Sequence, residues 1–164
     1  MAPLRSKEVG ILSEIRSPDP VIPLLSVSPS QPDHAALREL LDGTRWDIRE
    51  SGSVASALKV LRQEQIPLIV CERDLQPGTW KDVLKRITAL SNPPYLIVTS
   101  VQADEELWMS ALNAGAYDVL VKPFDAGELT RTLFQAWLHW QGEFRTVTPA
   151  GHPKALNASV QDLQ

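Results

Sequence analysis

Short apolar runs alternate with helical patterns through the middle of the chain. Five runs have the length and β-branched content of strands: 24–27, 46–48, 68–71, 95–98 and 119–121. In segments 80–90 and 129–140 apolar residues recur every three or four positions, which predicts amphipathic helices, and segments 35–41 and 54–64 carry weaker stripes. Strands that alternate with helices predict a parallel sheet covered on both faces, because parallel neighbours need crossover connections.

This alternation predicts an α/β fold of the flavodoxin-like, doubly wound kind, with five parallel strands in the order 2-1-3-4-5. Such sheets bind ligands beyond the carboxyl ends of their strands, at the switch point between strands 1 and 3. Helix starts are also marked. Asp125 with Glu128 resembles a capping box, and Ser30 with Asp33 gives a weaker version of the same pattern.

Composition indicates one globular domain. The chain has 164 residues, of which 43% are hydrophobic and 22% charged. We expect the domain to span residues 21–142, between tails at 1–20 and 143–164. In the first tail, the spacing of Val9, Ile11, Leu12 and Ile15 suits a turn or two of amphipathic helix. The net charge of −4 disfavours a basic face for nucleic acid.

The chain lacks the sequence marks of export. Its one cysteine, Cys71, cannot form an internal disulfide and is expected to be buried and inert. The first 20 residues lack the apolar core of a signal peptide, and no apolar run reaches the ~20 residues that cross a bilayer. We therefore expect a cytoplasmic protein without membrane contact.

The residues that follow four of the predicted strands are mostly polar. Ser28 and Pro29 follow the first, Glu72 follows the third, Thr99 follows the fourth, and Lys122 follows the fifth. Two longer stretches carry a family pattern, namely LIVTS at 96–100 and ALNAGAYDVLVKPF at 111–124. Over residues 21–142 the chain resembles the receiver domain of two-component response regulators, in which a threonine, a Gly-Ala helix exit and a Lys-Pro pair have this spacing.

The resemblance implies a phosphoryl-transfer site. The family places a nucleophilic carboxylate at the end of strand 3, Mg²⁺ on that carboxylate and on an acidic pair after strand 1, and a lysine and a hydroxyl on the phosphoryl oxygens. Thr99 and Lys122 match the hydroxyl and the lysine. The family also implies a cis peptide bond between Lys122 and Pro123.

Two parts of this machinery are absent. Ser28 and Pro29 stand where the family has its acidic pair, and Glu72 stands at the phosphoacceptor position. Without two carboxylates we expect weak or no Mg²⁺ binding and no cofactor. Since glutamate is one methylene longer than aspartate, we hypothesise a permanent ion pair between Glu72 and Lys122.

These departures from the family pattern lead us to expect a receiver-like signalling module that docks onto another protein without phosphorylation. The sequence leaves two alternatives to this function open. The first is a competent phosphoreceiver that uses Asp74, two residues after Glu72, or less readily Glu72 itself. The second is a small flavodoxin-like enzyme or ligand-binding protein. This alternative is disfavoured because the sequence has no glycine-rich phosphate loop, and its histidines, His34, His139 and His152, lack metal or triad spacing.

The last helix predicts an interface. Phe134 and Leu138 lie four residues apart, outside its core stripe, and Trp108 on the preceding helix could join them. Val119, which stands where the family has an aromatic switch residue, is a further candidate for this interface. By resemblance, the face of helix 4, strand 5 and helix 5 implies a docking surface for another signalling protein or a second copy, although these side chains could instead pack under the tails. We expect no catalytic turnover and, without a DNA-binding helix pair after residue 142, no nucleic-acid partner.

Overall fold

The computed structural model describes residues 20–145, which form a five-stranded parallel sheet in the order β2-β1-β3-β4-β5. This is the predicted flavodoxin-like topology. The strands are β1 (Ile22–Val27), β2 (Trp46–Ser51), β3 (Leu68–Glu72), β4 (Tyr95–Ser100) and β5 (Asp118–Val121). All five strands extend one to three residues beyond the predicted apolar runs, and the added residues are mostly polar, except for Ile22 and Pro23 at the start of β1.

Five α-helices connect and follow the strands: α1 (Gln31–Leu40), α2 (Val54–Gln63), α3 (Trp80–Ile87), α4 (Glu105–Ala114) and α5 (Ala126–Trp140). Helices α1 and α5 cover one face of the sheet through Leu37, Leu129 and Leu133. Helices α2, α3 and α4 cover the other face, with Val83 and Ala111 at its core. The central strand β3 is buried on both faces, so its end places Glu72 in the middle of the carboxyl edge.

Local signals set several helix ends. The Asp125 carboxylate accepts a hydrogen bond from the Glu128 backbone at 2.8 Å, as its sequence predicts. Ser30 is the N-cap of α1, so the helix starts where the sequence predicts, but the capping box is absent because Ser30 makes no side-chain cap bond and the Asp33 carboxylate binds Ser28. Helix α4 ends at Gly115, whose φ of 105° favours glycine.

The folded part extends past the expected boundary at residue 142. A π-helical turn, Gln141–Arg145, continues α5. In this turn the Phe144 ring lies 6.3 Å from Tyr95 and 5.7 Å from Trp140, and Glu143 accepts a hydrogen bond from the Tyr95 hydroxyl. These contacts attach the turn to the amino-terminal edge of the sheet. Residues 1–19 and 146–164, which include the predicted helical turn at 9–15 and His152, lie outside the described residues.

Candidate functional site

Lys122 follows the edge strand β5, and its side chain reaches the carboxyl end of the central strand β3. Its ammonium donates hydrogen bonds to two carboxylates, Glu72 at the end of β3 and Asp33 in the first turn of α1, the latter at 2.8 Å. The three side chains are largely shielded from water, with exposed fractions of 14%, 13% and 17%. The contact hypothesised between Glu72 and Lys122 is therefore present, and it includes a second acid.

Asp33 is the member of this site that sequence reasoning missed. The same Oδ2 atom that binds Lys122 accepts a hydrogen bond from Ser28 Oγ at 2.6 Å. Ser28 Oγ in turn accepts a hydrogen bond from the Ser30 backbone at 3.1 Å. Ser28 thus positions a carboxylate delivered by the following helix, while Pro29 beside it is exposed.

His34 contacts the residues at and before Ser28, next to the cluster. Its Nε2 atom lies 3.0 Å from the Ser28 carbonyl oxygen, and its Nδ1 atom lies 2.8 Å from Ser26 Oγ. The side chain is 2% exposed. Burial lowers the pKa of His34 below its usual 6.5, an effect that the Ser28 carbonyl and the Asp33 charge oppose. A neutral imidazole is therefore part of the folded site near neutral pH.

Opposing effects act on the pKa of Lys122. Partial burial lowers it, but the hydrogen bonds that Lys122 donates to Asp33 and Glu72 outweigh burial, and the net result is a raised pKa. Lys122 therefore stays charged across the physiological range. Because one ammonium faces two carboxylates, the cluster has a formal charge of −1 when both acids are ionised.

The remaining predicted residues lie around this cluster. Thr99 is buried and pairs in register with Glu72 across β3 and β4. Asp74 instead points outward, with 67% of its side chain exposed, and pairs with Arg73 at 3.1 Å. The bond between Lys122 and Pro123 is cis, as the resemblance implies, and the bond between Gln76 and Pro77 is also cis.

The donor set does not fit a magnesium ion. Mg²⁺ favours several oxygen ligands in octahedral array, with carboxylates available to it. Here both carboxylates of the cluster bind Lys122, and Ser28 and Pro29 contribute no charge. Within residues 20–145, no three His, Cys, Asp or Glu side chains gather as a metal site.

Cys71 lies on β3 beside the site but belongs to the core. It is fully buried, and this burial raises the pKa of its thiol well above the usual value. The group is therefore a poor nucleophile in the folded protein.

The predicted interface residues do not form one continuous patch. Val119 is 3% exposed and packs in the core, so its assignment as an interface residue is wrong. Phe134 is half exposed, but its ring lies near Trp137 and the Arg45 guanidinium, on the side of α5 toward the start of β2. Residues on the β5 side of α5 have different partners, since His139 contacts Tyr117.

Helix α4 carries a second apolar surface, of which the sequence singled out only Trp108. On α4, Trp108, Met109 and Leu112 are 37%, 57% and 48% exposed. Because they are spaced by one, three and four positions, they share one side of the helix. Val121 on the neighbouring strand β5 is 45% exposed. Helix α4 therefore presents more exposed apolar surface than the predicted set implied. Leu138 on α5 is also half exposed.

Among residues 20–145, none of the helices is both long and apolar enough to cross a bilayer.

Comparison with known proteins gives a family match over most of the chain. The model of the response regulator receiver domain matches residues 11–134. The transcriptional regulatory protein ZraR of Escherichia coli K12 is 34% identical over 105 residues, which are 63% of this chain and 23% of ZraR. The response regulator protein PilR of Pseudomonas aeruginosa is 29% identical over 101 residues, 59% of this chain and 23% of PilR. The chain thus spans about a quarter of the length of these curated relatives.

Solved structures share the same fold. The signal receiver domain of an HD domain-containing protein from Pseudomonas fluorescens Pf-5 superimposes with a TM-score of 0.70 at 24% identity, covering 77% of this chain and 94% of that one. The chemotaxis response regulator CheY4 of Vibrio cholerae gives a TM-score of 0.64 at 18% identity, covering 71% of this chain and 98% of that one. At these identities the likeness concerns the fold alone.

Proposed function

The chain belongs to the response regulator receiver domain family of two-component signalling, and we propose that it acts there as a docking module that does not require phosphorylation. The observation that carries this proposal is the paired state of Lys122, which binds Glu72 and Asp33 together. A phosphoryl group on the site would need the same ammonium. It would first have to displace a carboxylate that is covalently part of the chain.

Charge favours the same proposal. The cluster has one positive and two negative groups, so an added phosphoryl dianion would meet uncompensated negative charge. In the family a divalent metal offsets that charge. We propose that Mg²⁺ binds weakly or not at all to this site, because its acids are already paired with Lys122.

The competing phosphoreceiver uses Asp74. This carboxylate is accessible to a phosphodonor, but its partner is Arg73 rather than Lys122. An acyl phosphate there would have only a guanidinium that is itself one-third exposed to stabilise it. We therefore favour docking that requires no phosphorylation. We further propose that the protein has no catalytic turnover, acts in the cytoplasm and does not bind nucleic acid.

The docking surface is proposed to centre on α4. Its Trp108, Met109 and Leu112 give an exposed apolar side, and Val121 on β5 adjoins it in the fold. Response regulators work through other signalling proteins. A second copy of this chain could also bind the apolar side of α4, because identical apolar faces can pair about a two-fold axis. Phe134 and Leu138 contribute a separate surface on α5.

The test of the proposed function is the intact mass of the full chain after incubation with acetyl phosphate and Mg²⁺. Glu72→Ala and Asp74→Ala variants are treated in parallel. The proposal predicts no phosphoryl adduct in the parent. An adduct that disappears in one variant would identify the acceptor and establish a competent phosphoreceiver.

A further inference from the structure

A groove lined by aromatic residues lies at the end of the sheet opposite Lys122. It has a volume of about 440 Å³ and lies between the start of β1 and the end of α5. Its aromatic wall consists of Trp137, Trp140 and Phe144, and Pro20 and Ile22 line the other side. The polar residues at its rim are the neutral amides Gln65, Asn92 and Gln141. We call this the aromatic groove.

We propose that the aromatic groove is the docking site for residues 9–15 of this same chain. This segment contains Val9, Ile11, Leu12 and Ile15, the only four large apolar residues between positions 5 and 20. In a helix, Ile11 and Ile15 lie one turn apart and Leu12 lies beside them, which gives a narrow apolar stripe. A stripe of this kind suits a groove whose walls are tryptophan and phenylalanine side chains.

The chain itself limits where this segment can lie. Pro20 lines the groove, and Ile15 precedes it by five residues, a span of at most about 17 Å when fully extended. Two of the linking residues, Ser17 and Asp19, each precede a proline and are restricted to extended conformations. A short, restricted linker keeps the effective concentration of the segment at the groove high.

The electrostatics of the groove favour an apolar occupant. The residues that line it carry no formal charge, so a charged segment would lose hydration without gaining a partner. Glu8 and Arg16 flank the proposed segment, and Glu14 is the one charged residue within it. Glu14 lies about 100° from Ile15 around a helix and can therefore point to solvent.

The segment after residue 145 also starts near the groove but fits it less well. Its large apolar residues begin at Val147, and the next, Leu156, is nine positions later. No stripe of neighbouring apolar side chains forms close to its attachment point. This segment, and residues 9–15 of a second copy, are the alternative occupants that the test must separate.

Docking at this end of the sheet would leave the proposed function undisturbed. Lys122 lies at the carboxyl ends of the strands, whereas Pro20 and Ile22 lie at the amino-terminal end of β1. The exposed apolar side of α4, formed by Trp108, Met109 and Leu112 and called here the α4 surface, also lies outside the groove. The inference therefore stands whether or not the protein accepts a phosphoryl group.

Paramagnetic broadening in the full chain tests the proposal. A nitroxide is attached to Ser13→Cys, and the buried thiol of Cys71 is not labelled under native conditions because burial raises its pKa. The readout is the set of indole signals of the five tryptophans. We expect strong broadening of Trp137 and Trp140 and little change at Trp80 and Trp108, which lie outside the groove.

The decisive comparison adds Ile11→Asp and Ile15→Asp to the labelled chain. Docking predicts that broadening of Trp137 and Trp140 falls at least twofold, whereas Leu138→Asp, an exposed apolar residue of α5 outside the groove, leaves it unchanged. Equal broadening with and without the two aspartates would overturn the proposal, because tethering alone would then explain it.

Broadening that appears between labelled and unlabelled chains in a mixture, and disappears on dilution, would assign the groove to a second copy. Broadening from a label at Ser159→Cys that the two aspartates do not affect would assign it to the carboxyl-terminal segment.

Discussion

Lys122 Nζ lies 2.8 Å from Asp33 Oδ2, although the two residues are 89 positions apart in the chain. Asp33 reaches the site from the first turn of α1, and Ser28 at the end of β1 holds it by a 2.6 Å hydrogen bond. With Glu72 on the other side, the lysine is bound by two carboxylates. The site thus has an internal substitute for the anion that a receiver lysine would otherwise contact.

Removing the lysine is expected to leave two buried acids without a cation. We predict that Lys122→Met lowers the free energy of unfolding by about 3 kcal/mol, since loss of one partner strands the others. Urea denaturation at pH 7 measures the change. Lys85→Met, at an exposed lysine of α3, is the matched control and should change stability by less than about 0.5 kcal/mol.

A further variant separates two causes of this loss of stability, the unpaired carboxylates and the loss of side-chain packing. Adding Asp33→Asn and Glu72→Gln to Lys122→Met removes the stranded charges, so stability should recover in part. If the triple variant is no more stable than Lys122→Met alone, the buried charges are not the cause.

The buried imidazole predicts an acid-sensitive fold. His34 has a lowered pKa in the folded state, so below pH 6.5 the unfolded chain binds a proton that the folded chain resists. Stability is therefore lost as pH falls below 6.5, with a limiting slope of about 1.4 kcal/mol per pH unit from this group until its folded pKa is reached. The charged neighbours Asp33 and Arg38 remain in place and act in opposite directions.

Unfolding of the parent and of His34→Gln between pH 8 and pH 5 measures this contribution. His139 and His152 are present in both proteins and cancel in the comparison. We expect a shallower loss of stability in His34→Gln. Parallel curves for the two proteins would contradict the assignment of the acid sensitivity to His34.

A backbone prediction concerns the end of α4. Gly115 has a φ of 105°, and a Cβ atom built there meets no atom within 4 Å. Gly115→Ala should therefore cost about 1 kcal/mol through backbone strain alone. Gly142→Ala is the matched control, since its position is equally open and its φ is not positive. Thermal unfolding should show a loss for Gly115→Ala only.

The α4 surface predicts a concentration-dependent association. We expect the parent to self-associate in sedimentation experiments. The double variant Met109→Asp, Leu112→Asp should be monomeric, because pairing would bury its added charges. Leu138→Asp should associate like the parent, since its exposed side chain lies on α5. A parent that stays monomeric at all concentrations would contradict a homodimer through α4.

The fold was predictable because its signals are local. Runs such as 68–71 are continuous and β-branched, and helices such as α3 repeat apolar residues at helical spacing, so strand and helix alternate visibly along the chain. The ends of elements were less certain, since β2 continues through the polar residues Arg49 and Glu50. The turn at Gln141–Arg145 was missed because its support comes from Tyr95, about 50 residues away.

The site was predictable only where the family pattern supplied a position. Glu72 and Lys122 stand at strand ends and were expected to meet. The capping pattern, which is local, predicts Ser30 as the partner of Asp33, whereas the actual partner, Lys122, is distant in sequence. Val119 was assigned to an interface from its family position, yet the pleat of β5 directs it into the core. A sequence pattern shows which local contacts a residue can make. It does not show whether packing in the folded protein gives that residue a distant partner or buries it in the core.

Returning the missing carboxylates to the site should restore phosphoryl chemistry. A variant with Ser28→Asp, Pro29→Asp and Glu72→Asp regains the acidic pair and a shorter acid at the end of β3, so Lys122 can turn toward a phosphoryl oxygen. We expect this variant to gain a phosphoryl adduct with acetyl phosphate and Mg²⁺. Asp74→Asn in the same background should keep the adduct.

The most direct test of the central claim is the amide spectrum of the parent with Mg²⁺ and beryllofluoride, an acyl-phosphate mimic, compared with its spectrum in buffer. The restored variant serves as the positive control. If Lys122 is permanently engaged by Glu72 and Asp33, the amide signals of Thr99, Ser100, Lys122 and Phe124 will not move in the parent. Saturable shifts at those four residues would contradict the account and make this chain a competent phosphoreceiver.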